Sequence, residues 1–227
     1  MKDTIGKAKS WVFWPSLRIL RWLCRLYFRA TCRGSDNYPK SGSYIIAINH
    51  NSLLDIPIMA LAIDRPVYTM AKEGLFRIPG LSWWLKSLGF FPVRRGTGDR
   101  QAFDAARAVL ARGDVLAMAP EGTRRRPGPE RPRAHTGIVR LAQEFGCPVV
   151  PVGVAGTRKA LPPGARLPRP YKLGVVIGKP VQLEPVDISS KNLDQLQQQA
   201  DGIMDRIYEL SGERFLESES SKSLNCA

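Results

Sequence analysis

Histidine is nearly absent from this chain of 227 residues, which carries two, and its four cysteines, Cys24, Cys32, Cys147 and Cys226, show no paired spacing. So small a supply assembles no zinc site and no disulfide framework, and the thiols read as reduced, in a cytosol-facing protein. Acidic residues are also scarce: 20 Asp and Glu stand against 34 Lys and Arg, a net charge of +14. Such a balance implies an anionic partner, with nucleic acid, an acidic membrane surface and an acidic carrier protein as the candidates. No apolar run reaches the ~20 nearly uncharged residues that a transmembrane span requires. No secretory signal is evident, because arginines interrupt the only apolar region near the amino terminus. Repeats of solenoid length are missing too. What remains is a chain 44% hydrophobic, enough for one domain that buries about 70% of its unfolded surface.

The amino-terminal segment chooses among the anionic partners. Between Trp11 and Ala30 most residues are large and apolar, but Arg18, Arg21, Arg25 and Arg29 recur among them. In a helix these arginines fall within about 80° of arc, one narrow stripe. Val12, Ile19, Leu20, Leu23, Leu26 and Tyr27 occupy much of the remaining circumference, and Trp11, Trp14 and Trp22 suit the headgroup level. The pattern predicts a helix lying in a membrane interface, each arginine contributing about 1 kcal/mol near anionic lipid. The competing arrangement is a helix packed on the domain with its arginines in water. Pro15 is expected to break the segment into two pieces.

After Gly34 the pattern becomes strands alternating with helices, which implies an α/β fold: a single-domain mixed sheet flanked by helices, preceded by the amphipathic membrane-docking segment. Residues 1–34 form that segment, 35–211 the α/β domain, and 212–227 a Ser- and Glu-rich tail expected to fray. Buried strands are read at Tyr44–Ile48, Val67–Ala71, Val115–Ala119, Val149–Val154 and Leu173–Ile177. Helices are read over Asp55–Ala62 and Leu81–Leu88, and from Thr136 or Gly137 to Gly146. Another is capped by Asp99 and stopped at Gly113, with Ala102, Phe103, Ala106, Val109 and Leu110 as its core stripe. A last helix starts at Ser189 or Ser190 and faces Leu193, Leu196, Ile203 and Ile207 inward.

Chemistry concentrates at two strand ends. Asn49-His50-Asn51-Ser52-Leu53-Leu54-Asp55 follows the first strand, so His50 stands at its end and Asp55 where a helix could begin. A turn between them can bring the carboxylate to one imidazole nitrogen while the other faces a substrate, as a general base requires. A structural hydrogen-bond pair is the bland alternative. Pro120-Glu121-Gly122-Thr123-Arg124 follows the strand at Val115: Gly122 permits a tight backbone, Thr123 brings a hydroxyl and Arg124 a planar fork suited to phosphate. An ordinary turn with solvated charges is its alternative. His135 reads as a surface or helix-start residue, and Lys72 as a solvated lysine within possible reach of a phosphate.

Together these residues resemble the glycerolipid acyltransferases of the lysophosphatidic acid acyltransferase family. Its first motif is matched by Asn49, His50 and Asp55. Its second is matched by Gly89-Phe90-Phe91-Pro92-Val93-Arg94-Arg95, with Arg95 in the arginine position and Arg94 where members often carry Asp. Its third is matched at Pro120–Arg124, with Ala119 in place of the usual Phe, and its fourth at Val149–Val154. Order and intervals agree over roughly residues 35 to 180. The resemblance also implies a membrane-docking amino-terminal helical element.

The resemblance implies transfer of a fatty acyl group from acyl-CoA or acyl carrier protein to the free hydroxyl of lysophosphatidic acid, making phosphatidic acid. His50 would be the base and Asp55 its orienting acid. Arg95, Gly122, Thr123 and Arg124 would hold the acceptor phosphate, and Glu121 would take a glycerol hydroxyl or pin an arginine. No metal and no bound cofactor are expected, and no covalent acyl-enzyme, since no serine or cysteine sits in a nucleophile elbow. Leu75, Phe76, Ile78, Trp83 and Trp84 read equally as acyl-tunnel lining or as core. The expected place is the cytoplasmic face of the cell membrane, peripheral or monotopic. Another lysolipid or glycerol phosphate is the nearest alternative acceptor. A non-catalytic membrane-binding protein leaves the two polar motifs unexplained, and a nucleic-acid-binding protein lacks helix-turn-helix, RNA-binding aromatic and zinc signatures.

Overall fold

The computed structural model describes residues 5–94, 99–123, 133–186 and 192–212. Seven strands form one sheet: β1 (Thr31–Arg33), β2 (Tyr44–Ile48), β3 (Val67–Lys72), β4 (Phe90–Val93), β5 (Val115–Met118), β6 (Val149–Ala155) and β7 (Gly174–Ile177). Their order is β1-β7-β6-β2-β5-β3-β4, parallel throughout except that β7 runs antiparallel to β6. The central strands are buried on both faces, as all-apolar runs such as Tyr44–Ile48 and Val149–Val154 demand.

Strand alternation divides the core. Ile45, Ala47 and Leu116 face one layer, formed by α4 (Arg100–Ala111), α5 (Gly137–Glu144) and α7 (Leu193–Ser211). Tyr44, Ile46 and Ile48 face the other, with α1 (Ser10–Phe28), α2 (Asp55–Ile58) and a 3-10 turn at Met59–Leu61. The short helices α3 (Pro79–Ser87) and α6 (Thr157–Ala160) complete the set. The sheet and its two flanking layers agree with the expected α/β architecture.

Three expectations change. Pro15 does not break α1, which is one helix of 19 residues; Val12, Phe13 and Leu17, on either side of the proline, pack in one cluster with Ala60 and Leu88 and hold it together. Leu193 does not face inward but opens α7 toward solvent, while Leu196, Ile203 and Ile207 are buried as expected. Arg21 is not a headgroup ligand: its guanidinium turns inward, donating to the carbonyls of Ala60 and Ile63. The helix start at Ser189 or Ser190 and the tail beyond Gly212 lie outside the described residues.

No helix among the described residues is long and apolar enough to cross a membrane. Helix α1 packs through Phe13, Leu17, Cys24 and Phe28, and leaves Ile19, Trp22, Leu23 and Leu26 exposed on its far side. Arg18, Arg25 and Arg29, all exposed, run along the border between the two faces.

Candidate active site

Strands β2 and β5 are parallel neighbours, with Ala47 level with Met118, so the chain segments that leave them emerge side by side at one sheet edge. Crevices at the carboxyl ends of parallel strands are where α/β folds place their ligands. The first segment begins with a clamp. The Asn49 side chain donates to the Val154 carbonyl and accepts from the Val154 amide, both at 2.8 Å, and so fixes the exit of β2 against β6.

His50 and Asp55 meet as the spacing suggests: Nδ1 lies 3.0 Å from Oδ2, and both residues are buried. Asp55 opens α2, and the turn folds over it. The amides of Asn51 and Ser52 donate to Oδ2 at 2.6 and 2.7 Å. The Thr157 hydroxyl donates to Oδ1 at 2.6 Å. Since the carboxylate's other partners are all donors, it acts as an acceptor throughout, and the imidazole proton belongs on Nδ1. Among the described residues none hydrogen-bonds Nε2, so that nitrogen presents a lone pair. The pair thus has the tautomer a general base needs.

The second segment forms a tight turn in which the Gly122 amide donates to the Ala119 carbonyl. Gly122 has φ +66°, and a Cβ there would sit 2.8 Å from the ring of His135, so both backbone and space demand glycine. His135 is exposed beside the start of α5, as expected, and its amide donates to the Pro120 carbonyl. Gly122 and Thr123 are exposed at the rim. Glu121 is instead buried: its Oε1 accepts from the His50 amide at 3.4 Å and from the Tyr208 hydroxyl of α7 at 3.1 Å. Arg95 and Arg124 lie outside the described residues. The Asp99 carboxylate accepts from the amides of Arg94, Gln101 and Ala102.

An apolar cavity of about 330 Å³ lies beside this turn, between α1 and the sheet. Ile48, Leu53 and Ile56, which flank His50 and Asp55, line it, as do Leu17, Leu20 and Trp84. Of the residues weighed as tunnel or core, Leu75, itself exposed, and Trp84 line the cavity, while the half-buried Phe76 and the exposed Ile78 and Trp83 do not. A larger groove of about 550 Å³ between residues 181–186 and α7 touches none of the four motifs.

Thr157 and Tyr208 were not legible as site residues. Thr157 follows the fourth motif, and β6 pairs with β2, so its nearness to the first motif was implicit in that pairing. Tyr208 gives no signal in sequence, standing as one aromatic on a long helix.

The model of the Acyltransferase family matches residues 29–155. The chain is 28% identical over 166 residues to the chloroplastic 1-acyl-sn-glycerol-3-phosphate acyltransferase of Brassica napus, covering 71% of this chain and 48% of that protein. It is 27% identical over 177 residues to the 1-acyl-sn-glycerol-3-phosphate acyltransferase of Bacillus subtilis, covering 77% and 84%. The chain thus spans about half the length of the plant relatives it matches. Among solved structures, the 1-acyl-sn-glycerophosphate (LPA) acyltransferase PlsC of Thermotoga maritima aligns with TM-score 0.63 and 26% identity, over 83% of this chain and 78% of that one.

Proposed function

The chain belongs to the Acyltransferase family, and from that premise we propose that it moves a fatty acyl group from a thioester donor to the free hydroxyl of lysophosphatidic acid. The relatives named as 1-acyl-sn-glycerol-3-phosphate acyltransferases support this acceptor. The observation that carries the reading is the His50–Asp55 pair, its carboxylate locked by three further donors.

In this mechanism Nε2 of His50 takes the hydroxyl proton as the oxygen attacks the thioester carbonyl. A carbon–oxygen bond forms, the tetrahedral intermediate collapses, the carbon–sulfur bond breaks, and the proton passes from His50 to the departing thiolate. Asp55 holds the imidazole in register and stabilises its charged form. Base catalysis of this kind is worth ~10²–10⁴-fold. Gly122 and Thr123 at the rim, with Arg95 and Arg124, hold the acceptor phosphate. Glu121 braces the His50 amide and positions the turn. The cavity beside His50 takes the acyl chain. Acyl-CoA and acyl carrier protein both suit as donor.

Docking follows from α1. Its outward face of Ile19, Trp22, Leu23 and Leu26, bordered by Arg18, Arg25 and Arg29, lies in the interface of an anionic membrane. The cytoplasmic face of the cell membrane is the proposed place. The division into a docking segment (1–34), an acyltransferase domain (35–211) and a tail (212–227) belongs to the same reading.

The test is acyl transfer across a panel of lysolipids and glycerol phosphate, with CoA and carrier-protein thioesters, by wild type and His50→Ala. Wild type should prefer lysophosphatidic acid, and the variant should lose at least about 10²-fold in turnover while keeping vesicle binding. Near-normal turnover by purified His50→Ala removes the base assignment.

A further inference from the structure

We propose that the proline-rich loop after α6 is a second membrane contact, in which Leu167 enters an anionic lipid surface beside α1. The inference extends the docking proposed for α1 to a different element and stands on separate observations.

Leu167 is 80% exposed, the most exposed large hydrophobic side chain among the described residues. It stands between Arg166 and Arg169, both exposed. The loop is built to hold it out. Pro163-Gly164 forms a turn closed by the Ala165 amide on the Pro162 carbonyl at 3.1 Å, with Gly164 at φ +85° as a type II turn requires. The Arg169 amide then returns to the Ala160 carbonyl at 2.7 Å. Pro162, Pro163, Pro168 and Pro170 remove most of the remaining freedom, so insertion orders little that is not already ordered.

The loop is joined to the outward flank of α1. The Tyr27 hydroxyl donates to the Pro168 carbonyl at 2.9 Å, and the Leu173 amide to the Phe28 carbonyl at 3.3 Å. The two segments so joined are both basic and free of acids. Residues 5–35 hold seven Lys and Arg and no Asp or Glu, and residues 145–183 hold six and none, in a protein with 20 acids. Where they meet, the exposed side chains of both segments are basic or apolar: Leu26 and Tyr27 with Arg25 and Arg29, and Leu167 with Arg166 and Arg169. Positive charge alone suits an acidic carrier protein equally well. Exposed leucine, isoleucine and tryptophan among the cations favour lipid, where their transfer to hydrocarbon adds to the attraction.

The loop also touches the catalytic turn at its base. Thr157 of α6 holds Asp55, and the Leu161 carbonyl accepts from the Ser52 hydroxyl at 3.2 Å. Docking through this loop would therefore set the site directly over the lipid surface.

The experiment is co-sedimentation with vesicles of phosphatidylcholine alone or mixed with phosphatidylglycerol, using the full chain. Leu167→Ser should weaken partition onto the mixed vesicles about five- to tenfold, and Leu167→Trp should retain or strengthen it. The double variant Arg166→Glu, Arg169→Glu should lose binding at low salt, with a difference that narrows as salt rises. Leu26→Ser serves as the α1 control. Wild-type partition by Leu167→Ser and by the double reversal, alongside loss by Leu26→Ser, would overturn the inference. So would a double reversal that spares vesicles and weakens acyl carrier protein binding. Turnover of a short-chain acceptor free in solution should be preserved in Leu167→Ser. Absence of turnover in wild type would defeat the proposed reaction and leave the partition result standing.

Discussion

Thr157 lies 102 residues from Asp55 in the chain, yet its hydroxyl makes a buried hydrogen bond of 2.6 Å to Oδ1, among the shortest contacts of the site. Losing it leaves a buried carboxylate oxygen without its donor, which costs about 1–3 kcal/mol. Thr157→Val, nearly isosteric, should therefore lower kcat about tenfold or more with KM little changed, and Thr157→Ser should restore it. Steady-state kinetics on folded variants checks this; an equal loss in both variants would mark the effect as packing. At this scale legibility followed sequence distance. His50 and Asp55 are five residues apart, and a turn between a strand and a helix suffices to join them. Thr157 needs β6 placed beside β2, and Glu121 needs Tyr208 from the last helix, neither of which a local pattern carries. The resemblance gives Glu121 a glycerol hydroxyl or an arginine as partner; its burial beneath Tyr208 is a tertiary fact.

Elements were the most legible level, although the short strand β1 at Thr31–Arg33 falls within the segment read as wholly helical. Buried strands and the Asp99-capped helix stand where periodicity and capping place them. Pro15 and Leu193 were misjudged because local rules yield to packing on a core. Two predictions belong to this level. Asn49→Ala strips partners from the amide and carbonyl of Val154 between two buried strands, and should cost about 2–4 kcal/mol in urea unfolding. Asp99 has its carboxyl pKa lowered, chiefly by the Arg94 amide and then by those of Ala102 and Gln101. A lowered value in the folded state means the carboxylate stabilises above the unfolded pKa of about 3.9 and loses that contribution as pH falls through the folded value. Asp99→Asn keeps a cap but not the charge, so its stability deficit should shrink in acid. At neutral pH Asp99→Ala should cost about 0.5–1 kcal/mol, toward the lower end for so exposed a group. Chemical denaturation at pH 7 and below about 4 measures both.

For the whole molecule, net charge pointed to an anionic partner and could not say where that partner sits. The proposed lipid contact gives it a place, where acid-free segments distant in sequence meet at Tyr27 and Pro168. Helix α1 carries apolar side chains on two sides, one packed on the domain and one outward. Burial also pushes the thiols of Cys24 and Cys147 up to about 11, which keeps them protonated and unreactive near neutrality. A second distant link runs from α7 to the site. Tyr208→Phe removes the hydroxyl that holds Glu121 and should lower turnover a few-fold while the melting temperature moves little. An unchanged rate would show that the Tyr208 hydroxyl is not needed to hold Glu121 in place.

That link has a temporal meaning. Residue 208 leaves the ribosome long after His50 and Asp55 have been made, so a nascent chain holds its base before it holds the strut behind it. A product cut short before α7 lacks the buried Leu196, Ile203 and Ile207 as well as Tyr208, and should be unstable as well as inert.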